Sequence, residues 1–137
     1  MTTPGMTTAV QDKVLLAARL LVTPLFIYSG IGKVLAFEAT AGRLPGGAGG
    51  FGSVLAACAI AIELGGSLAL ILGVYARYVA LAFIVFTALA SVMFHNFWAS
   101  PPAAVVGQTI NFGKNLGLIG LFALIWAFGP GNYALKK

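Results

Sequence analysis

Charged side chains are scarce in this sequence of 137 residues, where Lys, Arg, Asp and Glu make up 8 % and hydrophobic residues 60 %. Soluble domains carry about 25 % charged residues, because polar side chains must cover a surface that faces water. The deficit therefore excludes a free water-soluble enzyme. A helix that spans a bilayer needs about 20 apolar residues, so four spans occupy nearly the whole chain and leave no room for a soluble catalytic domain.

Cysteine is almost absent as well, and Cys58 alone excludes an internal disulfide, a CxxC redox pair and a cysteine-based zinc site. With one histidine and no carboxylate cluster, we expect no metal site and no intrinsic cofactor. Any redox role would then use an electron carrier from outside the chain. The basic residues behind the net charge of +5 are spread singly, which argues against nucleic-acid binding.

Four apolar segments separated by turn residues predict an all-α polytopic membrane protein, a bundle of four transmembrane helices. The predicted spans are about residues 14–37, 53–74, 77–95 and 112–129. They give a polar N-terminal tail at 1–13, a transmembrane domain at 14–130 and a short basic C-terminal tail at 131–137. Residues 73–77 predict a tight turn, while the glycine-rich segment 38–52 and the segment 96–111, which contains Pro101 and Pro102, predict irregular connections.

The basic residues near the span ends predict the orientation. Five lie on the side that holds both termini and three on the other, namely Lys13, Arg19, Arg77, Lys136 and Lys137 against Lys33, Arg43 and Lys114. Because cytoplasmic ends carry the excess of Lys and Arg, we expect both termini in the cytoplasm.

Three charged residues fall inside predicted spans, where each needs a physical reason. Arg19 and Lys33 lie on one face of the first helix, which we expect to point into the bundle together with Thr23, Phe26 and Gly30. Glu63 lies near the midplane on the second helix, too deep to reach an interface. Glu63 must be protonated or paired. The two basic residues are about 21 Å apart along a helix, so one pair is expected, and the sequence leaves the partner open. Such a pair either pins two helices together or takes part in proton handling or ligand binding.

A set of polar residues is predicted to lie at the same depth, near the non-cytoplasmic end of the bundle. Thr87, Ser91 and His95 repeat every four residues on the third helix, so the only histidine stands at the end of a small polar face. His95 and Lys114 both offer hydrogen-bond donors. We expect a ligand pocket formed by His95, Lys114, Asn115, Lys33, Trp98 and Gln108, with Asn96 and Asn111 nearby. Trp98 alone is also typical of an interface anchor.

The chain resembles the DoxX family of small four-helix integral membrane proteins over about residues 13–130. The resemblance is carried by Arg19, by Gly30-Ile31-Gly32-Lys33, by Glu63-Leu64-Gly65-Gly66 with Gly73 and Arg77, by residues 95–98, and by Gln108 with residues 112–116. It implies a bacterial or archaeal cytoplasmic-membrane protein that works beside a redox partner. The family takes its name from the membrane subunit of a thiosulfate:quinone oxidoreductase, yet nothing in this chain identifies thiosulfate as a substrate.

The first functional hypothesis is a quinone- or lipid-binding membrane subunit, accessory to a soluble or membrane redox protein, with a bound quinone as the only cofactor. In this hypothesis Glu63 and a basic neighbour tune protonation, while the head group is bound by His95, Lys114 and Asn115. Aromatic residues 26, 94, 97 and 98 suit such a ligand. A second hypothesis is a small-solute or proton permease with Arg19, Lys33 and Glu63 along its route, which would require a homo-oligomer. A third is a structural or assembly factor for a membrane complex. No residues form a convincing catalytic triad, so the catalytic residues are unknown.

Overall fold

The computed structural model describes residues 8–136 and contains four helices that are long and apolar enough to cross a membrane. We label them α1 (Ala9–Leu35), α3 (Phe51–Leu72), α4 (Ala76–Phe94) and α5 (Val105–Phe128). A short helix, α2 (Phe37–Gly42), lies in the connection between α1 and α3. The predicted all-α bundle of four transmembrane helices is confirmed.

Helix α1 begins before the predicted residue 14, because Thr8 starts a capping box. The Thr8 hydroxyl accepts from the backbone N–H of Gln11 at 3.3 Å, and the Gln11 side chain accepts from the Thr8 N–H at 2.7 Å. These bonds satisfy donors that a helix start leaves open. Part of the predicted polar tail is therefore helical, and the rest of that tail lies outside the described residues.

The prediction that the fourth helix starts at residue 112 is wrong. Two short 3-10 turns, Phe97–Ala99 and Pro102–Ala104, lead directly into α5 at Val105. A proline within the first helical turn costs nothing, because no backbone donor is needed there, so Pro102 favours a helix start. As a consequence, Gln108 and Asn111 lie on α5 instead of in a loop.

The bundle is held by an aromatic core at its centre. Phe26 of α1, Phe83 of α4 and Phe122 of α5 are buried, with ring centroids 4.6 to 5.6 Å apart. The predicted inward face of α1 is confirmed, since Arg19, Thr23 and Gly30 are buried along with Phe26. Phe26 therefore belongs to the core and is removed from the aromatic set proposed to face a ligand.

Helices α1 and α3 pack as one pair and α4 and α5 as another, while α1 and α5 touch only slightly. Small residues at 113 and 117 on α5 and at 57, 61 and 65 on α3 are exposed, so these rows do not pack inside the chain. The weak contact between α1 and α5 leaves an opening along that side of the bundle.

The C-terminal segment closes one end of the bundle. Gly73, in the left-handed conformation at φ 68°, makes the tight turn that was predicted between α3 and α4. The backbone of Leu135 donates to Leu72 at 2.9 Å, and Tyr75 donates to the Lys136 carbonyl at 3.0 Å. The Asp12 carboxylate accepts from the backbone and the side-chain amide of Asn132 at 2.9 and 2.7 Å. The segment after α5 is thereby fixed to α1 and to the turn between α3 and α4.

Candidate functional site

Two adjoining shallow cavities, both open to the surface, form a groove between α1 and α5, and Leu118 lines both. The first, of about 420 Å³, is apolar and is lined by Val14, Ala17, Ala18, Leu21, Val22, Leu118 and Leu121. The second, of about 440 Å³, is lined by Leu25, His95, Asn111, Lys114, Asn115, Gly117 and Leu118. We call them the apolar and polar ends of the groove. The groove is amphipathic because its lining on α5 changes from polar to apolar residues along the helix.

The polar end is formed where α4 stops and α5 passes it. His95 is the C-cap residue of α4, and its backbone N–H donates to Ser91 at 3.0 Å. Asn111, Lys114 and Asn115 stand three and four residues apart on α5, so they share one face of that helix. This spacing brings a cation, an imidazole and two amides to one cavity.

Two hydrogen bonds position the side chains of the polar end. His95 Nδ1 lies 2.8 Å from Oε1 of Gln108. Asn115 Nδ2 donates to the Ser91 hydroxyl at 2.9 Å, and this hydroxyl donates to the Thr87 carbonyl at 2.7 Å. Thr87 and Ser91 are buried, as the polar face predicted for this helix requires. The site is thus tied to α4 as well as to α5.

The structure brings only part of the predicted pocket together. His95, Lys114, Asn115 and Asn111 line the polar end, and Gln108 contacts His95 from outside the lining. Trp98 instead stacks edge-on with Phe97 and Phe112, at centroid distances of 5.2 and 5.8 Å, and is 59 % exposed. Those aromatic rings form a surface cluster outside the groove, in the manner of an interface anchor.

Lys33 is the partner of Glu63. Its ammonium lies 2.9 Å from Oε2 and donates to Oε1 at 3.1 Å, and it also donates to the Ser29 hydroxyl at 2.6 Å. A Cβ at Gly30 would come within 2.7 Å of Leu64, so this glycine lets α1 and α3 approach closely beside the pair. Glu63 itself is buried on a π-helical segment, Ala61–Gly66, within α3. The pair joins two helices, and neither residue lines the groove.

Arg19 does not pair with Glu63 and instead binds backbone carbonyls. Its guanidinium is fully buried and donates to the carbonyls of Leu70 at 2.8 Å and Ile71 at 3.3 Å, and to that of Tyr133. The last carbonyls of a helix lack an N–H donor within the helix, and Arg19 donates to two of them at the end of α3. Arg19 therefore joins α1, α3 and the C-terminal segment.

Several residues of this arrangement were not predicted. Gly117 and Leu118 of α5 and Leu25 of α1 line the groove, and no sequence pattern distinguishes them from other lipid-facing residues. Asp12 was placed in the tail, although an acidic residue in the first turn after a capping threonine is typical of a helix start.

The groove has the chemistry of a site for an amphiphile. Its polar end offers donors from Lys114 and from an amide, together with the imidazole of His95, and no carboxylate lines either cavity. Within residues 8–136, no three His, Cys, Asp or Glu residues come together as a metal site would need. Its described lining thus suits an organic molecule with a polar head and an apolar tail.

Comparison with known proteins gives the family. The family model described as DoxX matches residues 14–96 of this chain. The chain belongs to the DoxX family. It is 30 % identical over 129 residues to the inner membrane protein YphA of Escherichia coli strain K12, covering 94 % of this chain and 92 % of that protein. It is 33 % identical over 127 residues to the inner membrane protein YqjF of the same strain, covering 93 % and 92 %.

No solved structure matches the chain. Both DoxX-family relatives carry names that place them in the inner membrane, and this chain has four helices of membrane-spanning length. It is a multi-pass inner membrane protein.

Proposed function

We propose that this DoxX-family protein is a quinone- or lipid-binding membrane subunit that serves a redox partner protein. The groove between α1 and α5 is the observation that supports this proposal. Its polar end suits an oxygen-rich head group that accepts hydrogen bonds from Lys114 and Asn115 and forms one with the His95 ring. Its apolar end follows α1 from Val22 to Val14, about 12 Å of helix, which suits a hydrocarbon tail.

The proposal gives a structural role to Arg19, Lys33 and Glu63, the three charged residues that were predicted inside spans. Arg19 is bonded to backbone carbonyls at one end of the bundle, and Lys33 is paired with Glu63 farther along α1. Neither group lines the groove. This arrangement favours a role of these charges in holding helices together over a role in lining a permeation route.

We further propose that both termini lie in the cytoplasm, as the distribution of Lys and Arg favours. His95 and Lys114 then lie near the opposite surface, since α4 and α5 run between the two sides. A redox partner that exchanges electrons with a bound quinone would dock at that surface, beside the cluster of Phe97, Trp98 and Phe112.

Mass spectrometry of the molecules that co-purify with the protein in mild detergent tests this function. We expect a near-stoichiometric quinone or a single lipid species in the wild type, and a roughly tenfold or greater loss of it in Lys114→Ala and His95→Ala. A hydrogen bond to a charged group contributes about 1.5 to 3 kcal/mol, which corresponds to such a change in affinity. Arg43→Ala is the matched control, because Arg43 is exposed and donates only to the Ala39 carbonyl of its own segment.

Recovery of bulk lipid alone, in equal amounts from the wild type and the two groove variants, would contradict the proposal. The permease and assembly hypotheses would then account better for the chain, and Glu63 would be the next residue to change.

A further inference from the structure

The only histidine of the chain stands at the polar end of the groove with one ring nitrogen already engaged. His95 Nδ1 lies 2.8 Å from Oε1 of Gln108. In this placement the Gln108 amide presents Oε1, which has lone pairs and no proton, so the arrangement assigns the hydrogen of this bond to Nδ1. In the neutral ring, Nε2 is then a lone-pair acceptor, and it has no hydrogen-bond partner among residues 8–136.

The other groups of the polar end favour a ligand that arrives neutral and becomes negative. Lys114 is the only other titratable residue in the lining, and no carboxylate lines the cavity. An imidazolium beside a lysine ammonium would be repelled unless an anion lay with them. A ligand hydroxyl that gives its proton to Nε2 supplies that anion, and Lys114 would hold it.

We infer that the polar end is an acid–base site for a weakly acidic hydroxyl, such as that of an alkylated phenol or hydroquinone. The inference rests on the groove of the proposed function and adds the chemical class of the head group. In the step, the ligand O–H bond breaks, an Nε2–H bond forms on His95, and the electron pair stays on the ligand oxygen. No electron leaves the ligand in this step. Gln108 is a positioning residue, since it fixes the proton on Nδ1 and does not touch the ligand.

The test uses protein with ¹⁵N-labelled histidine, in which the only histidine gives one pair of ring nitrogen signals. The probe is 4-nonyl-2-nitrophenol, whose phenol and phenolate forms absorb at different wavelengths. Without the probe, we expect a protonated-type Nδ1 signal and an unprotonated-type Nε2 signal. With the probe, we expect both nitrogens to become protonated, and the ionisation midpoint of the bound probe to lie at least one pH unit below its midpoint in empty micelles.

Variants at position 108 test whether Gln108 positions the His95 ring or only stabilises the fold. Gln108→Leu removes the acceptor for Nδ1–H, so we expect the fixed tautomer and most of the midpoint shift to be lost. Gln108→Glu keeps an acceptor and should restore both. Thr109→Leu is the control, because Thr109 is exposed on the same helix and bonds only to the Val105 carbonyl. If Gln108→Leu fails to fold, the two signals of the wild type decide the matter alone.

A wild-type protein that binds the nitrophenol while its Nε2 stays unprotonated would overturn this inference and leave the groove proposal standing. An Nε2–H tautomer in the free wild type would overturn it in the same way. Failure of the wild type to bind the nitrophenol more than empty micelles do would overturn this inference. The groove proposal would be contradicted only if the co-purification experiment also recovered bulk lipid alone.

Discussion

Gly117→Leu should empty the groove and leave the bundle folded. Gly117 lines the polar end, and a Cβ at this position would have no neighbouring atom within 4 Å, so a larger side chain would occupy the groove itself. Glycine also costs a helix about 0.8 to 1 kcal/mol relative to good helix formers, so leucine does not weaken α5. We expect the molecule that co-purifies with the wild type to fall at least about tenfold by mass spectrometry, with unchanged far-ultraviolet circular dichroism.

Gly120→Leu is the matched control. Gly120 lies one turn further on α5, also has open space at its Cβ, and does not line either cavity. It should retain the co-purifying molecule at the wild-type level. Equal retention in both variants, or equal loss, would contradict the assignment of the groove.

Arg19→Met should be among the most destabilising single changes in the chain. The methionine fills part of the volume but leaves the carbonyls of Ile71 and Tyr133 without the guanidinium donor. The Leu70 carbonyl also loses it and keeps only the backbone bond from Gly73 at 3.2 Å. A buried polar group that loses its partner costs about 1 to 3 kcal/mol, so a loss of roughly 3 kcal/mol in the free energy of unfolding is expected. Thermal unfolding in mild detergent, followed by circular dichroism, measures the change.

Arg43→Met serves as the comparison for this experiment, because the Arg43 side chain is exposed and bonded only within its own segment. Its free energy of unfolding should stay within about 0.5 kcal/mol of the wild type, as for most surface substitutions. Similar stabilities for the two variants would show that the buried guanidinium does not hold the end of the bundle.

Helix geometry explains why much of this structure could be predicted from sequence. The apolar runs give the spans, and the regular rotation per residue places Arg19 and Phe26 on the inward face of α1. The lengths and antiparallel order of the helices set the depth of each residue in the membrane, and they place His95 and Lys114 at the same end of the bundle. These inferences need no knowledge of which helices touch.

The features that could not be predicted depend on how the helices pack against one another. Both Arg19 and Lys33 lie on the inward side of α1, and only the tertiary arrangement shows that Glu63 meets Lys33. The groove itself exists because α1 and α5 make so little contact, which no local pattern encodes. Pro102 was taken as a helix stop because its role depends on whether it falls inside a helix or in the first turn.

The central claim is that an amphiphile occupies the groove between α1 and α5. A crystal structure of the wild-type protein grown in a lipidic mesophase tests this claim most directly. We predict elongated density along Leu118, with its polar head within hydrogen-bond distance of the Lys114 ammonium or His95 Nε2. A structure in which α1 and α5 close on each other, or in which the groove is filled by a side chain of a second copy, would contradict the claim.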